Sequence, residues 1–132
     1  MFEQFQVRTP SHACLVDITA QVQATIARCG VEQGLCTVFV PHTTAGITIN
    51  ENADPTVQSD MLQALDRMAP WRGPYEHLEG NSAAHVKASL MGASCSALVM
   101  GHRLRLGTWQ GIYLAEFDGP RTRQVLVKVI AG

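Results

Sequence analysis

Ser96-Ala-Leu-Val-Met100, Arg103-Leu-Arg-Leu106, Gln110-Gly-Ile-Tyr-Leu-Ala-Glu-Phe117 and Gln124-Val-Leu-Val-Lys-Val-Ile130 fill the last third of the chain. Their reading decides the fold class. Each run is short and rich in apolar and β-branched residues. Gly101-His102, Gly107 and Asp118-Gly119-Pro120 punctuate them, as turns between strands do. Strands at this spacing predict a meander or sandwich, not βαβ units.

Working upstream, Asn81 or Ser82 can cap a short helix that runs through Leu90 and closes at Gly92. Pro70, Gly73, Pro74 and Gly80 make residues 70–80 a loop. Before it, Asp54-Pro55 supplies an N-cap followed by proline at the first helical position. Val57, Met61, Leu62 and Leu65 then form one apolar stripe down to Ala69-Pro70. Residues 45–50 alternate and predict a strand. Gly34 to Val40 is short and apolar, which suits a buried strand stopped by Pro41. Ile18, Val22 and Ile26 recur every fourth residue, with Asp17 as the N-cap and Gly30 as a left-handed C-cap. Strands are expected at residues 2–8, where one slip of phase predicts a bulge, and near 13–16. The expected fold is therefore α+β: a single compact domain, 1–132, with a β-sandwich-like, mainly antiparallel core and about three helices.

The chain has 132 residues, 46% of them hydrophobic and 16% charged, with a formal net charge of −1. That supports one sizeable core and argues against disorder. No basic stripe marks a nucleic-acid surface. The N-terminal residues have no basic start and no apolar stretch, and no run is long enough to span a bilayer. A cytoplasmic protein without nucleic-acid or membrane partners is expected. Its four cysteines, at 14, 29, 36 and 95, are expected to be reduced and mostly buried.

Polar residues gather at the ends of the predicted elements, where binding groups usually sit. His42, Thr43 and Thr44 follow one strand, and Asn50-Glu51-Asn52-Ala53-Asp54 follows the next. His77 and His85 bracket Glu79-Gly80-Asn81-Ser82. Trp109 lies in a glycine-rich stretch, and Arg121 follows the Asp118-Gly119-Pro120 turn. His77 and His85, eight positions apart, lack a standard zinc spacing. With His42 they can complete a set of three imidazoles, which suits Zn²⁺ or a similar ion. Glu51 or Asp54 can serve as a cation ligand or a base. Arg121 is a candidate phosphate clamp through its planar fork. Gly80 and Asn81 can offer N–H groups to phosphate at a helix start. Trp109 can wall a pocket or join the core. Thr44 and Asn50 are further substrate contacts. His12 and His102 read as surface residues.

Three blocks carry a resemblance: His42 to Pro55; Glu79-Gly80-Asn81-Ser82 with His85 to Gly92; and Leu106 to Tyr113 running on to Glu116-Phe117-Asp118-Gly119-Pro120-Arg121. In content and order they resemble the YjbQ-like proteins, known as secondary thiamine-phosphate synthases, across essentially the whole chain. The resemblance implies a small α+β fold, usually a homotrimer, in which His42, His77 and His85 converge on a site able to hold a metal. Many relatives carry an acidic residue just before the second-block histidine, where this chain has Ala83-Ala84. The implied activity is a transferase joining a pyrimidine pyrophosphate to a thiazole phosphate with help from a divalent ion. Zinc suits the imidazoles, and magnesium suits a pyrophosphate substrate. In this reading His42, Glu51, Asp54 and His85 are catalytic, and the partner is a small phosphorylated or heteroaromatic metabolite. Two other functions fit the same residues: a metal-dependent hydrolase of a small phosphate ester or lactone, and a non-catalytic trimeric metabolite-binding protein.

Overall fold

The computed structural model describes residues 2–132. Eight strands and three helices follow in the order β1 (Phe2–Arg8), β2 (Cys14–Asp17), α1 (Thr19–Cys29), β3 (Gln33–Phe39), β4 (Ala45–Glu51), α2 (Pro55–Met68), α3 (Ser82–Met91), β5 (Ser94–Met100), β6 (Arg103–Leu104), β7 (Gln110–Glu116) and β8 (Thr122–Ala131). They form a five-stranded sheet, β1-β8-β3-β5-β6, and a three-stranded sheet, β2-β7-β4. Every pairing is antiparallel. The expected sandwich-like α+β architecture is what the chain adopts, with strands crossing between sheets instead of running as a simple meander.

One core lies between the sheets. Val38 of β3, Val99 of β5 and Val125, Val127 and Val129 of β8 meet Ile47 of β4 and Ile112 and Leu114 of β7, with Ile18, Val22 and Ile26 closing one side. The other face of β7 packs on the helices: Ala115 and the following Phe117 join Leu65 of α2 and Ala84 and Ala88 of α3. With both faces covered, β7 is buried at every position after Gln110, as for any strand sandwiched between layers. β8 shows the alternation of a strand with one face covered. Gly46 lets α3 approach β4 closely, because a Cβ there would lie 2.8 Å from the Gly92 carbonyl and 2.9 Å from Met91 Cβ.

Local signals mostly act as expected. Asp54 accepts from the Thr56 N–H at 2.9 Å, with Pro55 opening α2. Gly30 closes α1 at φ +72°. Two details differ. Ile18, not Asp17, is the N-cap of α1, and Asp17 takes the Thr19 N–H from one residue further out. The β1–β8 register runs unbroken from Phe2 to Arg8 without a bulge, so the slip of phase simply leaves Phe2 on the outer face, 55% exposed. The four cysteines are free thiols, one buried and three partly so. No helix of the described residues is long and apolar enough to cross a membrane.

Candidate functional site

At one end of the sandwich, residues 40–44 leave β3 for β4, and residues 116–123 turn from β7 into β8. The start of α3 closes the third side. Together they enclose a cavity of about 560 Å³ lined by residues that include His42, Thr43, Thr44, Glu79, Asn81, His85, Asp118, Arg121 and Arg123. His42 and His85 also line an adjoining recess beside Ala45, Ala88 and Ser89.

The inner wall rests on a buried ion pair that joins the sheets. Glu116 of β7 is wholly buried and Arg123 of β8 nearly so. Arg123 grips the carboxylate with two parallel bonds, from Nε at 2.8 Å to Oε1 and from Nη2 to Oε2. Nη2 also donates to Thr44 Oγ1 at 2.8 Å. Glu116 further accepts from Thr9 Oγ1 at 2.8 Å and from the Asp118 N–H at 3.0 Å. Burial pushes the Glu116 carboxyl upward. The Arg123 bonds, the Asp118 N–H, the Thr9 hydroxyl and the Arg123 charge together outweigh it and hold the carboxyl below its ordinary value.

Closer to the opening, Asp118 Oδ2 accepts from Asn81 Nδ2 at 2.9 Å and from Arg121 Nη2 at 3.1 Å. Arg121 also donates Nε to the Asp118 carbonyl at 2.7 Å. Its side chain is half exposed, so the free part of the guanidinium is open to a ligand. Asn81 turns its amide to Asp118 and Glu79 instead of capping α3. That leaves its Oδ1 buried without a partner among the described residues. His42 accepts the Gln124 N–H on Nε2 at 2.8 Å. Burial and then the Arg123 charge press the His42 pKa below its ordinary value, against a weaker opposite pull from the Glu116 carboxylate.

The expected residues thus fall into two groups. His42, Thr44, Asn81, His85 and Arg121 share the cavity. His77 stands just outside it, its ring 5.6 Å from that of His85 and nearly perpendicular to it. The Gly80 N–H is taken by the His77 carbonyl at 3.1 Å, and the residue serves the turn through φ +77°. Asn50, Glu51, Asp54 and Trp109 lie apart from this cavity. Ala45 of β4 pairs with Glu116, whereas Glu51 pairs with Gln110. The strand carries this second group roughly 20 Å away, to the opposite end of the sheet. There Asn50 accepts the Glu51 N–H, Glu51 accepts the Ala53 N–H and Asp54 caps α2. Their carboxylates and amides satisfy turns. Trp109, 63% exposed, neither walls the cavity nor joins the core. Ala83 and Ala84 are fully buried, and neither lines the cavity.

Among the described residues, no three His, Cys, Asp or Glu side chains group so as to hold a metal ion. The arrangement of the three histidines agrees with that. The Nε2 lone pair of His42 is engaged by Gln124, and His77 faces His85 from outside the cavity wall. In this conformation the donor set does not fit a three-imidazole ion.

Sequence reasoning missed Arg123 in the lining, and it gave no role to Glu79 and Asp118 there or to Glu116 behind it, although they fall in the polar stretches. A signal for Arg123 was present. It falls in phase with Val125, Val127 and Val129 on the buried face of β8, and a charge in that phase needs a buried partner.

The family model described as UPF0047 protein YjbQ-like matches residues 3–132. The UPF0047 protein YugU of Bacillus subtilis is 49% identical over 131 residues, covering 98% of this chain and 99% of its own. A UPF0047 protein of Methanocaldococcus jannaschii is 48% identical over 130 residues, covering 98% and 94%. The crystal structure of an uncharacterized YjbQ/UPF0047 protein of Clostridium acetobutylicum superposes with a TM-score of 0.95 at 52% identity, covering 97% of this chain and 99% of the other. A YbjQ-like protein of unknown function from Sulfolobus solfataricus gives 0.95 at 33% identity, covering 100% and 97%. The chain belongs to the UPF0047 YjbQ-like family.

Proposed function

For this member of the UPF0047 YjbQ-like family, we propose an enzyme acting on a small phosphorylated metabolite, with thiamine-phosphate-forming transfer as its reaction. One observation supports the reading above the others. The half-exposed guanidinium of Arg121 and the imidazoles of His42 and His85 line one cavity of about 560 Å³, a size that suits a metabolite. In the proposed reaction the bond from the pyrimidine methylene carbon to the pyrophosphate oxygen breaks. Pyrophosphate leaves with the electron pair, and the thiazole nitrogen forms the new C–N bond. Charge grows on the departing oxygens, and fixed donors aimed at them lower the barrier. Arg121 and His42 supply such donors. Asp118 holds Arg121 in place, and the Glu116–Arg123 pair fixes the wall behind. His85 and Asn81 bound the side next to α3. No step runs through an ion held by the protein, and magnesium that accompanies a pyrophosphate is part of the substrate.

The test is purified protein with the pyrimidine pyrophosphate, the thiazole phosphate and magnesium. Thiamine phosphate should form and should fall at least tenfold in Arg121→Met and in His42→Ala. Formation no faster than in those variants would sink the proposal.

The homotrimer implied by the resemblance is proposed as well, and the outer face of the five-stranded sheet supports it. Leu35 pairs with Leu98 on one side and Ile130 on the other. These three, with Phe39 and Met100, are 40–59% exposed. A contiguous apolar sheet face of this kind suits association between copies.

A further inference from the structure

We infer that His42 works as a neutral imidazole locked with its proton on Nδ1, donating that N–H to a phosphoryl oxygen of the ligand, and not as a metal ligand. The class of ligand rests on the function proposed above; the tautomer does not. The β3–β8 register ends with Phe39 opposite Leu126. Two residues back toward the start of β8, Gln124 lies beyond the end of β3, where Pro41 breaks the strand. The His42 ring takes its N–H in place of a strand carbonyl, at 2.8 Å.

An imidazole nitrogen that accepts a hydrogen bond carries no proton, so in the neutral ring the proton sits on the other nitrogen. A metal ligand needs a free lone pair. Here the Nε2 lone pair is taken, and Nδ1 presents a hydrogen. Coordination at either atom would require giving up the Gln124 bond or removing a second proton. The surroundings favour the neutral ring, since burial and the Arg123 guanidinium both disfavour added positive charge. Among the described residues Nδ1 has no partner, yet it is not sealed from solvent as Asn81 Oδ1 is. An N–H at the wall of a cavity shared with Arg121 is suited to an anionic oxygen.

The experiment is nitrogen-15 NMR of the histidine rings in the whole protein, with His42 identified by the signals lost in His42→Gln. In the ligand-free protein Nδ1 should show the protonated shift and Nε2 the unprotonated one. Inorganic pyrophosphate should move the Nδ1–H signal, and zinc chloride should leave both His42 nitrogens in place. His42→Gln can keep an acceptor for Gln124 while losing the Nδ1 donor. It should weaken pyrophosphate binding about tenfold and leave any zinc affinity unchanged. A proton found on Nε2, a zinc-induced shift of the His42 nitrogens, or lost zinc binding in His42→Gln would overturn the inference. Pyrophosphate that leaves Nδ1 unmoved would overturn the ligand assignment. Because the tautomer is read without substrate, failure of thiamine phosphate synthesis would sink the proposed reaction and leave the tautomer standing.

Discussion

Replacing Arg123 with methionine should destabilise the protein by about 3–5 kcal/mol at pH 7. The magnitude follows from what is left behind. Glu116 is wholly buried and accepts four hydrogen bonds, two of them from Arg123. After the change it keeps only the Thr9 hydroxyl and the Asp118 N–H, with no opposing charge. Methionine fills much of the volume, so the loss is electrostatic and not a cavity. The midpoint of thermal unfolding should fall by on the order of 10–20 °C. Adding Glu116→Gln should restore a large part, because the stranded charge is then gone.

The pH dependence separates this reasoning from simple loss of packing. The native Glu116 pKa lies below its ordinary 4.5. Its stabilising contribution is therefore present above about pH 4.5 and is lost as pH falls through the lower native value. In Arg123→Met, burial is left without the guanidinium, so the native pKa should rise above that of the unfolded chain. Protonation then favours the folded state, and the variant should close part of its gap to the parent on acidification. Urea unfolding from pH 4 to pH 8 measures both profiles. Parallel profiles, or a loss below about 1 kcal/mol at pH 7, would refute the account of the pair.

Three further outcomes are expected. Gly46→Ala should cost about 1–3 kcal/mol by thermal unfolding, because its Cβ meets the Gly92 carbonyl and Met91; an unchanged midpoint would mean that α3 is free to shift. Asp54→Ala removes the α2 cap and should cost about 1 kcal/mol, while thiamine phosphate formation stays unchanged, since the residue lies at the far end of β4; a large loss of activity would return it to the site. Leu98→Lys on the outer sheet face should convert the proposed trimer to smaller species by light scattering without unfolding the chain; an unaltered mass would count against that interface.

Much of the site was legible in the sequence because its residues stop regular elements. His42 follows the strand-ending Pro41, Asn81 precedes a helix and Arg121 follows a turn. Such positions crowd together at the ends of a sandwich. Adjacency in sequence did not place two polar groups in one cavity. His42 and Glu51 are nine residues apart, and the intervening segment is an extended strand, which maximises their separation. Arg123 was passed over for the opposite reason, since it sits inside a strand and its partner Glu116 lies in another.

The sequence alone settles the eight strands, the three helices, the α+β class and the family. Periodicity, capping residues and turn chemistry act over a few positions, and the motif blocks run in order along the chain. Only the folded structure decides which end of each strand shares a cavity, and which nitrogen of His42 is already engaged. Both depend on the register of strands distant in sequence. A hydrogen bond between residues 42 and 124 is fixed by where β3 stops against β8, and no local pattern encodes that.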